Sequence, residues 1–163
     1  MSQHKQNIGR DLTVSITLNG QVIQEFGLYS DTHIQPLWTE RKVIPTNNGG
    51  VTVARPVFNG WDVTIQYYRQ DGIPDTLGQF CQDNYFAGNP DIEVTMQQTT
   101  RNDDASVDMF QYVDGIIYQT DAGSYKGNED ITGTYKMFFP RRIQLTGDTS
   151  DATFSGNTLA GAA

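Results

Sequence analysis

The chain has 163 residues, 37% of them hydrophobic and 18% charged, and a formal net charge of −8. That length suits one domain with a real core, and the acidic balance argues against a protein that grips nucleic acid by neutralising phosphates. No stretch approaches the roughly 18 apolar residues of a membrane helix, and the opening MSQHKQNIGR lacks the apolar centre of a signal peptide.

Residues 1 to 9 are polar and unpatterned, and are expected to be flexible or arm-like. Regular structure begins at Asp11. From Leu12 to Leu18 the even positions are apolar and the odd ones, Thr13, Ser15 and Thr17, are polar, the signature of a half-buried strand. Asn19-Gly20 follows, the preferred pair for a tight hairpin turn, and predicts an antiparallel return over Gln21 to Phe26. Asp31 to Ile34 reads as strand.

Residues 39 to 58, TERKVIPTNNGGVTVARPVF, form a second hairpin pattern with Asn47-Asn48-Gly49-Gly50 at its tip. Its arms concentrate positive charge, Arg41, Lys42 and Arg55, in an acidic chain. Pro45 and Pro56 limit uncontrolled strand addition along those arms. Alternation resumes at Trp61, Val63, Ile65 and Tyr67. Pro74 to Phe86 breaks it: Leu77, Phe80, Cys81 and Tyr85 fall on one helical stripe, with a proline start and a stop at Gly88-Asn89-Pro90.

Beyond the helix, Ile92, Val94 and Met96 alternate with Thr95 and Gln97, and a long strand is expected over Val107 to Tyr118. Ile131, Tyr135, Met137, Phe139, Ile143 and Leu145 predict one apolar face of a last strand. Thr132, Thr134, Lys136, Arg142, Gln144 and Thr146 lie opposite, with an edge or bulge at Pro140. Residues 147 to 163 are small, polar and unpatterned again. The expected fold is mainly β, an antiparallel sandwich or barrel with one short helix, spanning 1 to 163 as a single domain.

Chemistry-bearing residues are sparse. Cys81 is the single cysteine, which rules out an internal disulfide, and on the helical stripe it reads as a small buried hydrophobe. His4 and His33 are the only histidines, too few for a zinc-finger type site, and neither stands where a nucleophile would need a base. The acidic turns at 101 to 108 and 121 to 130 read as solvated loops, and the second lacks the ligand spacing of a calcium loop. No phosphate-cradling loop or dinucleotide fingerprint is present. The expectation is no enzyme, no cofactor and no metal.

The late run DAGSYKGNEDITGTYKMFFPRRIQL, a Gly-containing turn and then a long alternating strand closing in Arg141-Arg142, resembles the C-terminal half of contractile-tail phage tube proteins. The order of elements over 11 to 146 is similar to that family, and in outline to the tube component of type VI secretion systems. The resemblance implies a virion protein assembled in the host cytoplasm. Its copies would join their strands around a lumen in hexameric rings, and the rings would stack into a tube for genome DNA. Partners would be the chain itself, the tail sheath, and the baseplate and terminator proteins. DNA would pass an acidic wall without specific binding, and no membrane is implied.

Within that frame the barrel strands are expected near 11 to 18, 61 to 68, 91 to 98 and 131 to 145. Thr13, Ser15, Thr17, Thr95, Gln97, Thr132 and Thr134 would form a polar face on the lumen or barrel. Arg41, Lys42, Asn47, Asn48 and Arg55 would reach acidic residues of the next ring. The short length and the lack of appended immunoglobulin-like domains favour a contractile tail. Two rival readings stay open. One is another ring of the same tail, at the baseplate or terminator. The other is a monomeric β-sandwich that binds carbohydrate, with Trp38, Trp61, Tyr67, Tyr68, Tyr112 and Tyr118 as stacking platforms.

Overall fold

The computed structural model describes residues 12–18, 20–25, 30–44, 49–89, 92–102 and 105–146. The strands are β1 (Leu12–Leu18), β2 (Gln21–Glu25), β3 (Ser30–Val43), β4 (Val53–Tyr68), β5 (Val94–Arg101), β6 (Val107–Asp121), β7 (Thr132–Phe139) and β8 (Arg141–Thr146). One helix, α1 (Ile73–Phe86), separates β4 from β5. The strands join in one antiparallel eight-stranded sheet in the order β2-β1-β5-β6-β7-β4-β3, with β8 paired to β6.

That sheet coils over itself. One half is β2, β1, β5, β8 and the first part of β6; the other is β3, β4, β7 and the last part of β6. Alternation fills the space between them as the sequence pattern requires. Val14, Ile16, Leu18, Val94, Met96 and Tyr112 are buried from the first half, and Val63, Ile65, Tyr67, Ile117, Tyr135, Met137 and Phe139 from the second. Each such side chain contributes roughly 1.5–3 kcal/mol by leaving water, so the two halves are held face to face by the hydrophobic effect.

β6 and the β7–β8 run cross from one half to the other, and both change face on the way. Tyr112 and Gly115 are buried on β6 and Phe139 on β7, and three residues on the exposed Arg142 of β8 turns its guanidinium onto the Trp61 and Phe110 rings. A face that would repeat every second residue has advanced by three on both strands, across Asp114 at φ 57° and across Pro140. Strands that switch sheets need such a corner. The predicted break at Pro140 is therefore present, but the expected continuous face is not. Ile143 and Leu145 lie on the side opposite Phe139 and are exposed, because the corner reverses the parity.

The helix packs through Pro74 and Leu77, which are buried, and Cys81, which is half-buried against the core. The Tyr135 hydroxyl donates to the Pro74 carbonyl, and the Arg69 guanidinium donates to Asp75 at 2.8 and 3.0 Å, so the first turn is pinned at two points. The predicted stripe is only half used. Phe80 and Tyr85 are exposed, since the helix touches the sheet mainly along its N-terminal end. Gly88, at φ 83°, ends it as expected.

At the first hairpin Leu18 pairs with Gln21 and Gly20 has φ 82°, the left-handed geometry that a two-residue turn demands. Ile92 is buried just ahead of β5, which starts at Val94 rather than at 91. His4, the ends at 1–9 and 147–163, and Asn47 and Asn48 lie outside the described residues.

Candidate functional site

β3 and β4 are long strands, 14 and 16 residues, and their inner and outer parts differ. From Val63 to Tyr68, β4 alternates buried with half-buried or exposed residues against β7. From Ala54 to Asn59 every residue is exposed, and on β3 so is every residue from Trp38 to Val43. The outer parts therefore form a two-stranded ribbon that leaves the body of the sheet.

Gly60 marks where the ribbon departs. Leu37 pairs with Gly60 but Trp38 pairs with Phe58, so Asn59 is the extra residue of a bulge. Gly60 has φ 124°, and a β-carbon there would meet the Phe138 ring and the Phe139 carbonyl, so only glycine fits. The Asn59 amide donates to the Thr39 hydroxyl across the bulge.

An aromatic chain ties the ribbon to the core. Ring centroids run Trp38–Phe58 at 4.9 Å, Phe58–Trp61 at 5.8 Å, Trp61–Tyr112 at 5.7 Å and Tyr112–Phe139 at 5.5 Å. The Arg142 guanidinium lies 4.1 Å from both the Trp61 and the Phe110 ring centroids, a cation–π arrangement. The Tyr112 hydroxyl donates to Gln98 at 2.8 Å, and burial raises its pKa from the usual phenol value. Alternation alone does not reveal this run of aromatics. Its signal was the Phe58-Asn59-Gly60-Trp61 run, a glycine between two aromatics inside a strand pattern.

The expected basic arms divide into two faces. Arg41 pairs directly with Arg55, and Val43 with Val53; these four line an open groove on one side of the ribbon. Like charges placed opposite each other on a ribbon repel, and no ion pair to either arginine forms among the described residues. Lys42 pairs with Ala54 on the opposite face, where its ammonium lies 3.7 Å from Glu40. The structure thus brings Arg41 and Arg55 together and separates Lys42 from them.

The proposed polar face divides as well. Thr13 sits opposite Thr99, Ser15 opposite Gln97 and Thr17 opposite Thr95, so Thr13, Ser15, Thr17, Thr95 and Gln97 make one continuous outer surface on β1 and β5. Thr132 and Thr134 belong to the other half, registered against Tyr68 and Gln66 on the outer face of β7 and β4.

Among the proposed stacking aromatics, Tyr67 and Tyr112 are buried in the core and Trp61 is half-buried, while Trp38, Tyr68 and Tyr118 are exposed. His33 is exposed on β3 opposite Thr64. Burial raises the Cys81 thiol pKa, so the thiolate is suppressed. The acidic turns are internally bonded: Asn102 donates to Asp108 at 2.9 Å, and Asp121 accepts from the Gly123 amide at 2.9 Å. Among the described residues no three His, Cys, Asp or Glu side chains gather as metal ligands.

No family model and no curated protein matches the sequence. The fold does match solved structures. The cap that terminates the anti-feeding prophage tube superposes with a TM-score of 0.59 at 8% identity, covering 90% of this chain and 95% of that one. The chain has the tail-tube fold. A chain of the sheath–tube complex of the PVC extracellular contractile injection system gives 0.55 at 9% identity, over 82% and 88% of the two chains. The SPP1 tail tube gives 0.54 at 13% identity, over 85% and 78%. Similarity at this identity lies in the coiled sheet, its helix and their order.

Proposed function

We propose that this chain is a structural, non-enzymatic component of a contractile phage-type tail, whose copies close into hexameric rings and stack as a tube that conducts genome DNA into the host. The observation that carries this reading is the tail-tube fold over most of the chain, matched to components of tubes, caps and sheath–tube complexes. Two physical features support it. β2 and β3 stand at the two ends of the sheet path, and the full 14-residue outer edge of β3 would invite uncontrolled pairing unless a neighbouring copy covers it. The ribbon also exposes Trp38, Val43, Val57 and Phe58, apolar area of the kind that marks an interface.

Ring closure satisfies the edges laterally, and an axial contact that repeats without closing builds a tube. Thr13, Ser15, Thr17, Thr95 and Gln97 then supply a small, polar, uncharged strip suited to a wetted wall, with Thr132 and Thr134 on the surface of the other half. Such a wall offers DNA no counterion-release affinity. Arg41 and Arg55, together with Asn47 and Asn48, make contacts between rings. The tail sheath, baseplate and terminator are the remaining partners, in a virion tail assembled in the host cytoplasm.

A second reading, a terminal ring in place of the repeating tube, is favoured by the higher TM-score of the cap structure. Electron microscopy of the purified chain separates the two. Long striated tubes support the tube component, isolated rings support the terminal ring, and dispersed monomers contradict both.

A further inference from the structure

Charge is distributed along the second half of the sheet with a direction. Register places Ser30, Tyr68, Thr132 and Asp121 at one end and the Val43–Val53 pair at the other. The first end carries Asp31, Asp71, Asp75, Asp121, Glu129 and Asp130 against Arg69 and Lys126. Both basic groups there are already engaged, Arg69 with Asp75 at 2.8 Å and Lys126 with Glu129 at 3.4 Å. The far end carries Arg41 and Arg55 side by side, facing a groove floored by Val43 and Val53.

These two ends cannot neutralise each other within one molecule. Ten residue steps of extended strand separate Asp31 from Arg41, about 33 Å at the rise of a β-strand. The Debye length at physiological salt is about 8 Å. The repulsion between Arg41 and Arg55 therefore persists in the isolated chain, and it is relieved when carboxylates are supplied by a second copy.

We propose that the Arg41–Arg55 groove receives the β6–β7 loop of a second copy, with Asp121 and Asp130 as the carboxylates and Tyr125 against the valine floor. The choice of loop follows from chemistry. Asp121 and Asp130 flank a segment whose Tyr125 is 67% exposed, so anionic groups stand on either side of an aromatic ring. The groove presents the complementary set, two guanidinium groups beside two valines. A contact from one end of the sheet to the opposite end of the next is heterologous and propagates along an axis. This inference rests on the stacked-tube reading and names the surfaces that stack.

The test is a charge swap followed by sedimentation velocity and negative-stain microscopy of the full chain. Arg41→Glu with Arg55→Glu places like charges against the acidic loop. It is expected to weaken stacking by about a hundredfold or more, since like-charge juxtaposition costs several kcal/mol. Asp121→Lys with Asp130→Lys is expected to do the same, and the milder Asp121→Asn with Asp130→Asn, which keeps the acceptor for the Gly123 amide, to weaken it less. Mixing the two reversed variants restores every interface and should restore stacking. Lys42→Glu, on the other face of the ribbon, should stack as the native chain does.

Stacking by the Arg41→Glu, Arg55→Glu variant alone would overturn the inference while leaving the tube reading intact. So would failure of the mixture to assemble when both variants retain native melting. A native chain that never assembles would overturn both.

Discussion

Replacing Gly60 with alanine tests the departure of the ribbon from the sheet. A methyl group there would stand 2.6 Å from the Phe138 ring and 2.9 Å from the Phe139 carbonyl oxygen. The ring can swing aside, but the carbonyl is held in the β4–β7 ladder, where Trp61 pairs with Phe139. Alanine must also adopt φ near 124°. Holding a non-glycine residue in such a region costs about 1–3 kcal/mol, and overpacking adds about 1–3 kcal/mol. The central expectation is about 4 kcal/mol, which for a chain of this size lowers Tm by roughly 8–16 °C. Gly127→Ala is the matched control, because its added methyl meets nothing within 4 Å and its φ is not positive. Thermal denaturation followed by circular dichroism, at one protein concentration, measures both. A Gly60→Ala protein that melts within about 1 °C of the native chain would refute the bulge geometry.

Other outcomes follow from the core. Tyr135→Phe removes the donor that satisfies the Pro74 carbonyl, and should destabilise by about 1–3 kcal/mol in urea titration while leaving the sheet intact. Phe139→Ala empties a fully buried site at the corner between the two halves, with an expected loss of about 3–5 kcal/mol. Tyr67, Tyr112 and Tyr135 all have pKa values raised above 10.0, chiefly by burial. Their contribution is therefore fully present below pH 10 and is lost as pH rises through the higher folded values. Alkaline titration should show stability falling above about pH 10. Cys81 should react slowly with thiol reagents in the native protein and rapidly after denaturation, because burial suppresses its thiolate.

Much of the fold was legible because period-2 alternation is a direct image of a sheet with one buried face. Val14 to Leu18, Val63 to Tyr67 and Tyr135 to Phe139 point inward as their spacing predicts. Tight turns were equally clear, since Gly20 and Gly88 stand where only glycine is comfortable. The corner was not legible beyond Pro140. Alternation counts residues by two, whereas a strand that changes sheets advances its buried face by three, which moved Ile143 and Leu145 outward and turned Arg142 onto the aromatics. The helix was found from its proline and its stripe, but how much of the stripe is covered depends on where the helix lies on the sheet, and that is a tertiary fact.

The candidate site was half visible. The basic hairpin stood out because its charge opposes that of the chain. That Arg41 and Arg55 face each other and Lys42 faces away depends on pairing register, which here includes a bulge at Asn59. Register sets Ser15 opposite Gln97 and Thr17 opposite Thr95 on one face of β1 and β5, as alternation within each strand implies. Thr132 and Thr134 share the same pattern on a strand of the other half, and alternation alone cannot distinguish the two surfaces.

The central claim is self-assembly through surfaces that a tail-tube fold leaves unpaired. Electron microscopy of the purified full chain, alongside size-exclusion chromatography, tests it most directly. The account predicts rings that stack into striated tubes, shortening as salt is raised. A homogeneous 18.2 kDa monomer at high concentration and low salt would contradict it.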